Sequence, residues 1–237
     1  MFSKTAELYD LIYRSFKDYD REARSIAELL QRLVPGAKTI LDVGCGTGEH
    51  ALRLQRDHGY TVHGLDAEPE FVLLARAKVP SARFSLGDMT AFDLGSRFDA
   101  VLCLFSSIGY LCEIERVEEA LCRFRAHLNP GGVALVEPWF EPEAWRPGTV
   151  SVQSVEGEGR RVVRMSLSSV EGRISKIRFH YLVGSPEGID HRVEEHALGL
   201  FTREEMSEAF ARAGFADVEF DPEGLIGRGL YIARKRD

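Results

Sequence analysis

Up to Pro138, the chain alternates between short apolar runs and longer segments in which apolar residues recur at helical spacing. An apolar run bounded by turn residues is typical of a strand that is buried on both faces of a sheet. Alternation of such strands with helices predicts a parallel sheet covered by helices on both faces. The predicted strands are Thr39–Val43, Thr61–Leu65, Arg83–Leu86, Asp99–Phe105 and Val133–Glu137.

The segments between these runs predict the helices. Tyr9 and Tyr13 lie four residues apart near the N-terminus, so they share one face of a helix. Near the other end, Thr202 and Glu205 have the spacing of a capping box, which predicts a helix start. The other predicted helices are Asp20–Leu33, one beginning at Glu49, Pro69–Lys78 and Glu113–Leu128, and the last one runs from the Thr202 cap to Ala213.

From about residue 150 to residue 200 the pattern changes to alternation of apolar and polar residues, which is typical of antiparallel strands. Gly172 separates two alternating segments and predicts a hairpin turn. We therefore predict an antiparallel meander inserted after the fifth strand, where it forms a wall of the substrate site. The predicted fold is α/β: a Rossmann-like seven-stranded sheet with this insertion, in one domain, 1–237. Its remaining strands are Val162–Val170, Ile174–Leu182 and Val193–Leu200 in the meander, then Val218–Phe220 and Gly229–Ala233.

A glycine-rich turn, Gly44–Gly48, joins the first strand to the following helix and offers bare backbone to a ligand. Asp66 ends the second strand, where a carboxylate can accept both hydroxyls of a ribose. Glu49 stands where a dinucleotide-binding turn needs glycine or alanine, and its carboxylate would meet a pyrophosphate. These features favour a cofactor with ribose and adenine but no phosphate, such as S-adenosylmethionine (SAM). The alternative is an ordinary strand-to-helix turn, which three glycines and the acid disfavour.

Further polar and aromatic residues follow the other predicted strands, at the sheet edge where ligands bind in parallel α/β folds. Asp88 and Met89 follow the third strand. Asp88 could accept a hydrogen bond from the amino group of an adenine, and Met89 could pack on the adenine ring. The alternative for Asp88 is to cap a helix. Ser106–Tyr110 follows the fourth strand, and Trp139 follows the fifth.

Composition narrows the function classes. The net charge of −7 and the lack of a long basic run weigh against a nucleic-acid partner. The four cysteines form no C-x-x-C pair and the histidines have no zinc spacing, so we expect no metal site. Reduced cysteines favour a cytoplasmic protein. We also expect no membrane association, because no apolar run suits a signal peptide or a bilayer span.

The D-x-G-x-G-T-G turn, the acid after the second strand and the G-D-M segment resemble class I SAM-dependent methyltransferases. A narrower resemblance covers nearly the whole chain. The segments CGTGEH, FSSIGYL, EPWFEPE, FHYLV and GRGLY are similar to those of the N,N-dimethyltransferases of deoxyaminosugar biosynthesis. Those enzymes methylate the amine of a dTDP-linked 3-amino sugar, as in desosamine and mycaminose formation. The chain departs from that family with Gly44 for alanine, Asp66 for glutamate, and a shortened N-terminal extension in which Phe2 remains.

The patterns and the resemblance together give a set of candidate site residues. Tyr110 and His180 are the candidates near the reacting amine, although a packed tyrosine and a structural histidine are the alternatives. Arg228 suits phosphate oxygens because guanidinium donates in a bidentate fork, with solvated surface charge as the alternative. The predicted acceptor contacts are Trp139, Lys176, His180 and Arg228. The predicted cofactor contacts are Tyr9, Tyr19, Gly44, Gly46, Asp66, Asp88, Met89 and Leu104, with Tyr9 and Tyr19 forming a lid over the methionine end.

We therefore predict a SAM-dependent N-methyltransferase that acts on a small molecule, the amine of a dTDP-linked amino-deoxysugar. Two alternatives are a class I methyltransferase for another small amine, hydroxyl or carboxylate, and a SAM-binding module without turnover. A nucleic-acid base methyltransferase would carry an N-P-P-Y-like tetrad where this chain has Phe105–Ile108, and Glu49 disfavours a dinucleotide oxidoreductase. A homodimer through the meander or the N-terminal helix is a further hypothesis.

Overall fold

The computed structural model describes residues 5–157 and 159–236, so Phe2 lies outside the described residues. Strands and helices there follow the predicted alternation closely. The strands are β1 (Thr39–Val43), β2 (Thr61–Asp66), β3 (Arg83–Leu86), β4 (Phe98–Cys103), β5 (Leu128–Val136), β6 (Val150–Gly157), β7 (Arg160–Glu171), β8 (Ile174–Ser185), β9 (Gly188–Gly199), β10 (Asp217–Asp221) and β11 (Leu230–Arg234). The helices are α1 (Ala6–Tyr13), α2 (Tyr19–Leu33), α3 (Glu49–His58), α4 (Pro69–Lys78), α5 (Ile114–Ala126) and α6 (Arg203–Arg212), with a 3₁₀ helix at Ser107–Leu111.

The strands form two sheets. The main sheet has the order β10-β11-β5-β4-β1-β2-β3, in which β1 to β5 are parallel and β11 runs antiparallel to both of its neighbours. The second sheet, β6-β7-β8-β9, is antiparallel throughout. The predicted α/β fold with a seven-stranded sheet and an inserted meander is therefore confirmed. The sequence-based prediction missed β6, a largely exposed strand at the edge of the meander.

Helices cover both faces of the main sheet, and β1 shows why its sequence is continuously apolar. Leu41 and Val43 pack into the core beneath α5 and α6, whereas Ile40 packs into the core beneath α2, α3 and α4. Because successive side chains of a strand point to opposite faces, a strand with a core on each side needs apolar residues at nearly every position. The capping box of Thr202 and Glu205 is present at the start of α6, as predicted.

The second sheet encloses the carboxyl ends of the parallel strands. Its inner face packs on α1, where Leu8 and Ile12 contact Val162 and Tyr181 in a separate apolar cluster. The N-terminal helix therefore lies between the insertion and the edge of the main sheet. Across the described ranges, every helix is too short or too polar to cross a bilayer.

Candidate active site

The glycine turn after β1 brings bare backbone to the carboxylate that ends β2. Gly44 has φ +71°, and its N–H donates to the Leu65 carbonyl at 2.7 Å. The Gly46 N–H donates to Asp66 Oδ2 at 2.8 Å. A Cβ at Gly46 would enter open space with no atom within 4 Å, so the turn presents an uncovered surface to a ligand.

Asp66 is fixed by backbone donors on both oxygens. Besides the bond from Gly46, Oδ1 accepts the Glu68 N–H at 2.9 Å. Burial raises the pKa of Asp66, and these backbone hydrogen bonds act in the opposite direction. A carboxylate has about four acceptor positions, so both oxygens can still accept ribose hydroxyls.

A cavity of about 510 Å³ lies between this edge and the second sheet. A smaller cavity of about 40 Å³ adjoins it and shares Tyr9, Gly44 and Gly46 with it. Tyr19 and Leu104 line only the smaller one. The structure thus brings all eight predicted cofactor residues to two adjoining cavities, with the large one lined by Tyr9, Gly44, Gly46, Asp66, Asp88 and Met89.

The smaller cavity contains an acceptor that lacks a donor. Asp42 is buried, its Oδ2 has no hydrogen-bond partner among the described residues, and burial raises its pKa to about 6. Lys17, which was not predicted as a site residue, also lines this cavity with its ammonium 4.0 Å above the Phe105 ring. Lys17 pairs there with Glu22 at 2.8 Å. An acceptor and a cation that line the same cavity suit a ligand that carries both an amino and a carboxylate group.

Asp88 lines the large cavity and also caps a short turn. Its Oδ1 accepts the Thr90 N–H at 2.8 Å, and its Oδ2 accepts from Arg116 at 3.1 Å. The Thr90 hydrogen bond is the main reason why the pKa of Asp88 is lowered. Asp88 therefore caps a turn rather than a helix, and its charge remains at the cofactor side of the cavity.

Glu49 begins α3, as predicted, but its side chain has a structural partner set. The buried carboxylate accepts from Arg53 at 2.6 Å and also pairs with Arg14 and Lys78. Burial would raise the pKa of Glu49, but the hydrogen bonds from Arg14 and Lys78 lower it to about 2. Lys78 also binds Asp10 of α1 at 2.6 Å, so this network attaches the N-terminal helix beside the cavity.

The loops after β4 and β5 are joined by hydrogen bonds. Phe105 and Ser106 adopt left-handed backbone with φ of +52° and +62°, which is unusual for residues other than glycine. The Phe105 N–H donates to Glu137 Oε2, and the Ser106 hydroxyl donates to the Pro138 carbonyl, both at 2.6 Å. The F-S-S motif after β4 and the E-P-W motif after β5 are therefore joined by hydrogen bonds into one loop region at the rim of the cavity.

Three of the predicted acceptor-side residues line the large cavity. The Tyr110 hydroxyl lies 2.7 Å from Nδ1 of His196. Trp139 donates its indole N–H to Ser175 Oγ at 2.8 Å. Arg228 donates to the Ser106 hydroxyl at 3.3 Å and lies 4.9 Å from the Trp139 ring centroid.

Two predicted acceptor residues, Lys176 and His180, are wrong for this cavity. They occupy alternate positions of β8 whose side chains point outward, because Phe179 and Tyr181 take the inner face. His180 is exposed and lies 3.1 Å from His191, and Lys176 pairs with Glu171 at the surface. Neither residue lines the cavity, so the predicted contact of each with the acceptor and the predicted catalytic role of His180 are not supported.

Arg164 and His196 line the large cavity from the second sheet and were not predicted. Arg164 packs with its guanidinium 4.8 Å from the Phe179 centroid. Its position two residues after the inward-facing Val162 is the sequence signal that could have identified it. His196 is buried on β9, and its signal is likewise alternation with inward-facing neighbours.

The two arginines give the acceptor side of the cavity a positive charge. Across residues 5–157 and 159–236, neither Arg164 nor Arg228 has a carboxylate oxygen within 4.0 Å. Burial lowers the pKa of Arg228, which the charge of Glu137 only partly offsets. Asp66 and Asp88 make the opposite, cofactor side acidic, so the cavity suits a ligand that is cationic at one end and an acceptor that is anionic.

Three features together define a class I SAM-dependent methyltransferase. They are a parallel sheet with β11 inserted antiparallel, the glycine turn after β1 and the acid after β2. A protein-family profile described as a methyltransferase domain matches residues 40–132. The dTDP-3-amino-3,6-dideoxy-alpha-D-glucopyranose N,N-dimethyltransferase of Streptomyces fradiae is 48% identical over 95% of this chain and 89% of its own. The dTDP-3-amino-3,4,6-trideoxy-alpha-D-glucopyranose N,N-dimethyltransferase of Streptomyces venezuelae is 41% identical over 96% of both chains.

Solved structures agree with these similarities. Streptomyces venezuelae DesVI superposes with a TM-score of 0.92 at 40% identity, covering 97% of this chain and 98% of its own. SAM-bound CalS10, an amino pentose methyltransferase from Micromonospora echinaspora involved in calicheamicin biosynthesis, gives a TM-score of 0.87 at 39% identity, covering 96% of both chains. The chain belongs to this family of sugar N-methyltransferases, and its cofactor is SAM. The uncovered Gly46, the accepting Asp66 and the orphaned Asp42 oxygen fit the ribose and the amino group of that molecule.

We expect Asp66→Ala to weaken SAM binding about 100-fold, because hydrogen bonds to a charged group contribute roughly 1.5–3 kcal/mol each. Isothermal titration calorimetry measures the affinity directly. Asp57→Ala, which removes an exposed carboxylate on α3, is the matched control and should bind SAM as the wild type does. Unchanged affinity in Asp66→Ala would show that this carboxylate does not hold the ribose.

Proposed function

We propose that this protein transfers methyl groups from SAM to the amine of a dTDP-linked amino-deoxysugar. The names of the two relatives at 48% and 41% identity support the substrate class, because both act on dTDP-linked 3-amino sugars. The observation that carries the proposal within this structure is a pair of half-buried arginines, Arg164 and Arg228, which have no carboxylate partner among the described residues. A nucleotide diphosphate supplies the phosphate oxygens that guanidinium groups bind in bidentate fashion.

The cavity supports methyl transfer mainly by orientation. When bound, SAM supplies a methyl group already activated by the positive sulfur. Trp139 and Phe105 line the acceptor side of the cavity, and Arg228 lies against both rings. A phosphate bound by Arg228 would therefore limit the positions that the attached sugar can occupy. Holding two reactants in the correct geometry contributes about 7–11 kcal/mol at best. A partly buried site also favours the neutral amine, which is the nucleophilic form.

The α1 helix provides water exclusion on the cofactor side. Its Tyr9 ring packs 4.2 Å from Tyr13 and 4.9 Å from Phe71, measured between centroids, and thereby closes one wall of the cavity. Asp10 ties this helix to Lys78, so the wall is held by an ion pair as well as by packing. We propose that Tyr9 and Tyr19 cover the cofactor and that Lys17 and Asp42 bind its methionine end.

Mass spectrometry of acceptor panels tests the proposal. We expect dTDP-linked 3-amino sugars to gain one or two methyl masses in the presence of enzyme and SAM, and the pattern of products identifies the sugar and the number of transfers. Free amino sugars and simple amines are the controls and should react poorly, because they lack the diphosphate. Methylation confined to another amine, a hydroxyl or a carboxylate would replace the proposed function with that activity. No product from any acceptor would favour a binding module.

We expect Arg228→Ala to raise the KM for a dTDP-linked amino sugar about 10- to 100-fold, because a charge-assisted hydrogen bond contributes roughly 1.5–3 kcal/mol. Steady-state kinetics should show a smaller change in kcat, and Arg228→Lys should restore only part of the affinity. Arg212→Ala removes an exposed arginine at the end of α6 and is the charge-matched control. A KM equal to that of the wild type in Arg228→Ala would exclude its phosphate contact.

We also propose that a second copy of this chain covers the outer face of the second sheet. Met165, Leu167 and Leu182 are each about half exposed there, which is unusual for large apolar side chains on one sheet. The same face carries Arg178 and Glu195, so two copies related by a two-fold axis can match apolar with apolar and positive with negative. Light scattering should give the mass of a dimer, and Met165→Asp should give a monomer. A monomeric wild type would rule out this interface.

A further inference from the structure

A buried chain of polar side chains lies beside the smaller cavity and joins three elements of the N-terminal part of the protein. Lys17 comes from the segment between α1 and α2, Glu22 from the first turn of α2, and His50 from α3. Their side chains are 4%, 5% and 8% exposed. The other buried residues of α2 are apolar or aromatic, so an acid at this position needs a physical reason.

The protein itself occupies both carboxylate oxygens of Glu22. Oε1 lies 2.8 Å from Lys17 Nζ, and Oε2 accepts from Lys17 at 2.9 Å and from His50 Nε2 at 2.8 Å. Burial would raise the pKa of Glu22, but the contacts with His50 and Lys17 lower it overall. Glu22 is therefore a carboxylate with two fixed partners rather than a group that is free for a ligand.

Glu22 reaches the cofactor site only through its partners. The lining that the described residues give to the two cavities includes Lys17 and His50 but not Glu22. Among the described residues, the hydrogen bonds of the Lys17 ammonium go to Glu22, and the Phe105 ring lies 4.0 Å from the nitrogen. Because an ammonium group has three protons, at least one is left for an acceptor in the smaller cavity.

We propose that Glu22 is a positioning residue that holds Lys17 ready to donate to the carboxylate of SAM, and that this pair selects SAM over related molecules without that carboxylate. This inference rests on the proposed contact of Lys17 with the methionine end of SAM, and it does not depend on the acceptor. A lysine side chain is long and flexible. If Glu22 orders it when the protein folds, the cost of ordering is not paid again when SAM binds.

The location of Lys17 explains why it needs this partner. Besides the smaller cavity, Lys17 lines an open depression at the surface, together with Phe16, Asp18 and Asp20. Burial lowers the pKa of Lys17, which the charge of Glu22 only partly offsets. A buried cation without a partner is costly, and a lysine stem allows the charge to move into water. Without Glu22, we expect the ammonium to turn to the surface, so that SAM has to bring it back.

Isothermal titration calorimetry with two ligands tests the inference without any acceptor. Decarboxylated SAM keeps the adenosine, the sulfonium and the amino group of SAM and lacks only the carboxylate. We expect Lys17→Met to bind SAM about 10- to 100-fold more weakly, because it loses a charge-assisted hydrogen bond. We expect Glu22→Ala to bind SAM about tenfold more weakly, because one long side chain has to be ordered again. Both variants should bind decarboxylated SAM no more weakly than the wild type does.

Two further variants separate positioning from a general structural effect. Glu22→Gln should keep most of the affinity for SAM, because an amide oxygen still accepts from the Lys17 ammonium. The double variant of Lys17→Met and Glu22→Ala should bind SAM no more weakly than Lys17→Met alone, since Glu22 acts only through Lys17. The matched controls are Glu28→Ala, an exposed acid on the same helix, and Lys38→Met, an exposed lysine before β1. Both should bind SAM as the wild type does.

The contrary outcomes are distinct. A Glu22→Ala protein that loses the same affinity for both ligands would show that Glu22 only supports the fold, and would overturn the inference. If Lys17→Met is weakened for SAM and Glu22→Ala is unchanged, the lysine contact remains and the positioning role fails. Unchanged SAM affinity in Lys17→Met would remove the contact and the inference together. If the wild type methylates no dTDP-linked amino sugar, the proposed function fails, and these affinities still decide the role of Glu22.

Discussion

The buried carboxylate of Glu49 is the interaction on which the geometry of this site depends. It lies at the N-terminus of α3, where the helix dipole favours negative charge, and it binds Arg14 directly after α1, Arg53 of α3 and Lys78 of α4. A buried charge of this kind is stable only with several donors, and removal of one donor would leave the carboxylate uncompensated. The N-terminal helix is therefore held beside the glycine turn, where its tyrosines close the cofactor side.

A second constraint operates on the acceptor side. The backbone of Phe105 and Ser106 is held in a left-handed conformation that these residues do not favour alone. Glu137 and the Pro138 carbonyl supply the hydrogen bonds that keep it there. This arrangement directs the chain into the 3₁₀ helix that carries Tyr110, so the loop backbone positions a side chain that lines the cavity.

The second sheet completes the site because one face of each strand is buried. Phe179 and Tyr181 require the inner face, and their strand neighbours Lys176 and His180 are consequently turned to the surface. The same alternation brings Arg164 and His196 inward from β7 and β9. If the alternation of inward and outward side chains along a strand is shifted by one residue, cavity residues and surface residues change places. The segment FHYLV does not by itself show which of its side chains face inward, so it did not identify the residues that line the cavity.

The sequence by itself determined the main sheet, the helices around it, the glycine turn and its acid partner Asp66. These features depend on local periodicity, glycine conformational freedom and short spacings. Each of these can be recognised within about 25 consecutive residues. Only the tertiary structure decided which face of β8 points inward, that Glu49 binds α1 and α4, and that Tyr110 meets His196. Those contacts join residues far apart in the chain, so they depend on how the second sheet packs over the first, and no local pattern encodes that packing.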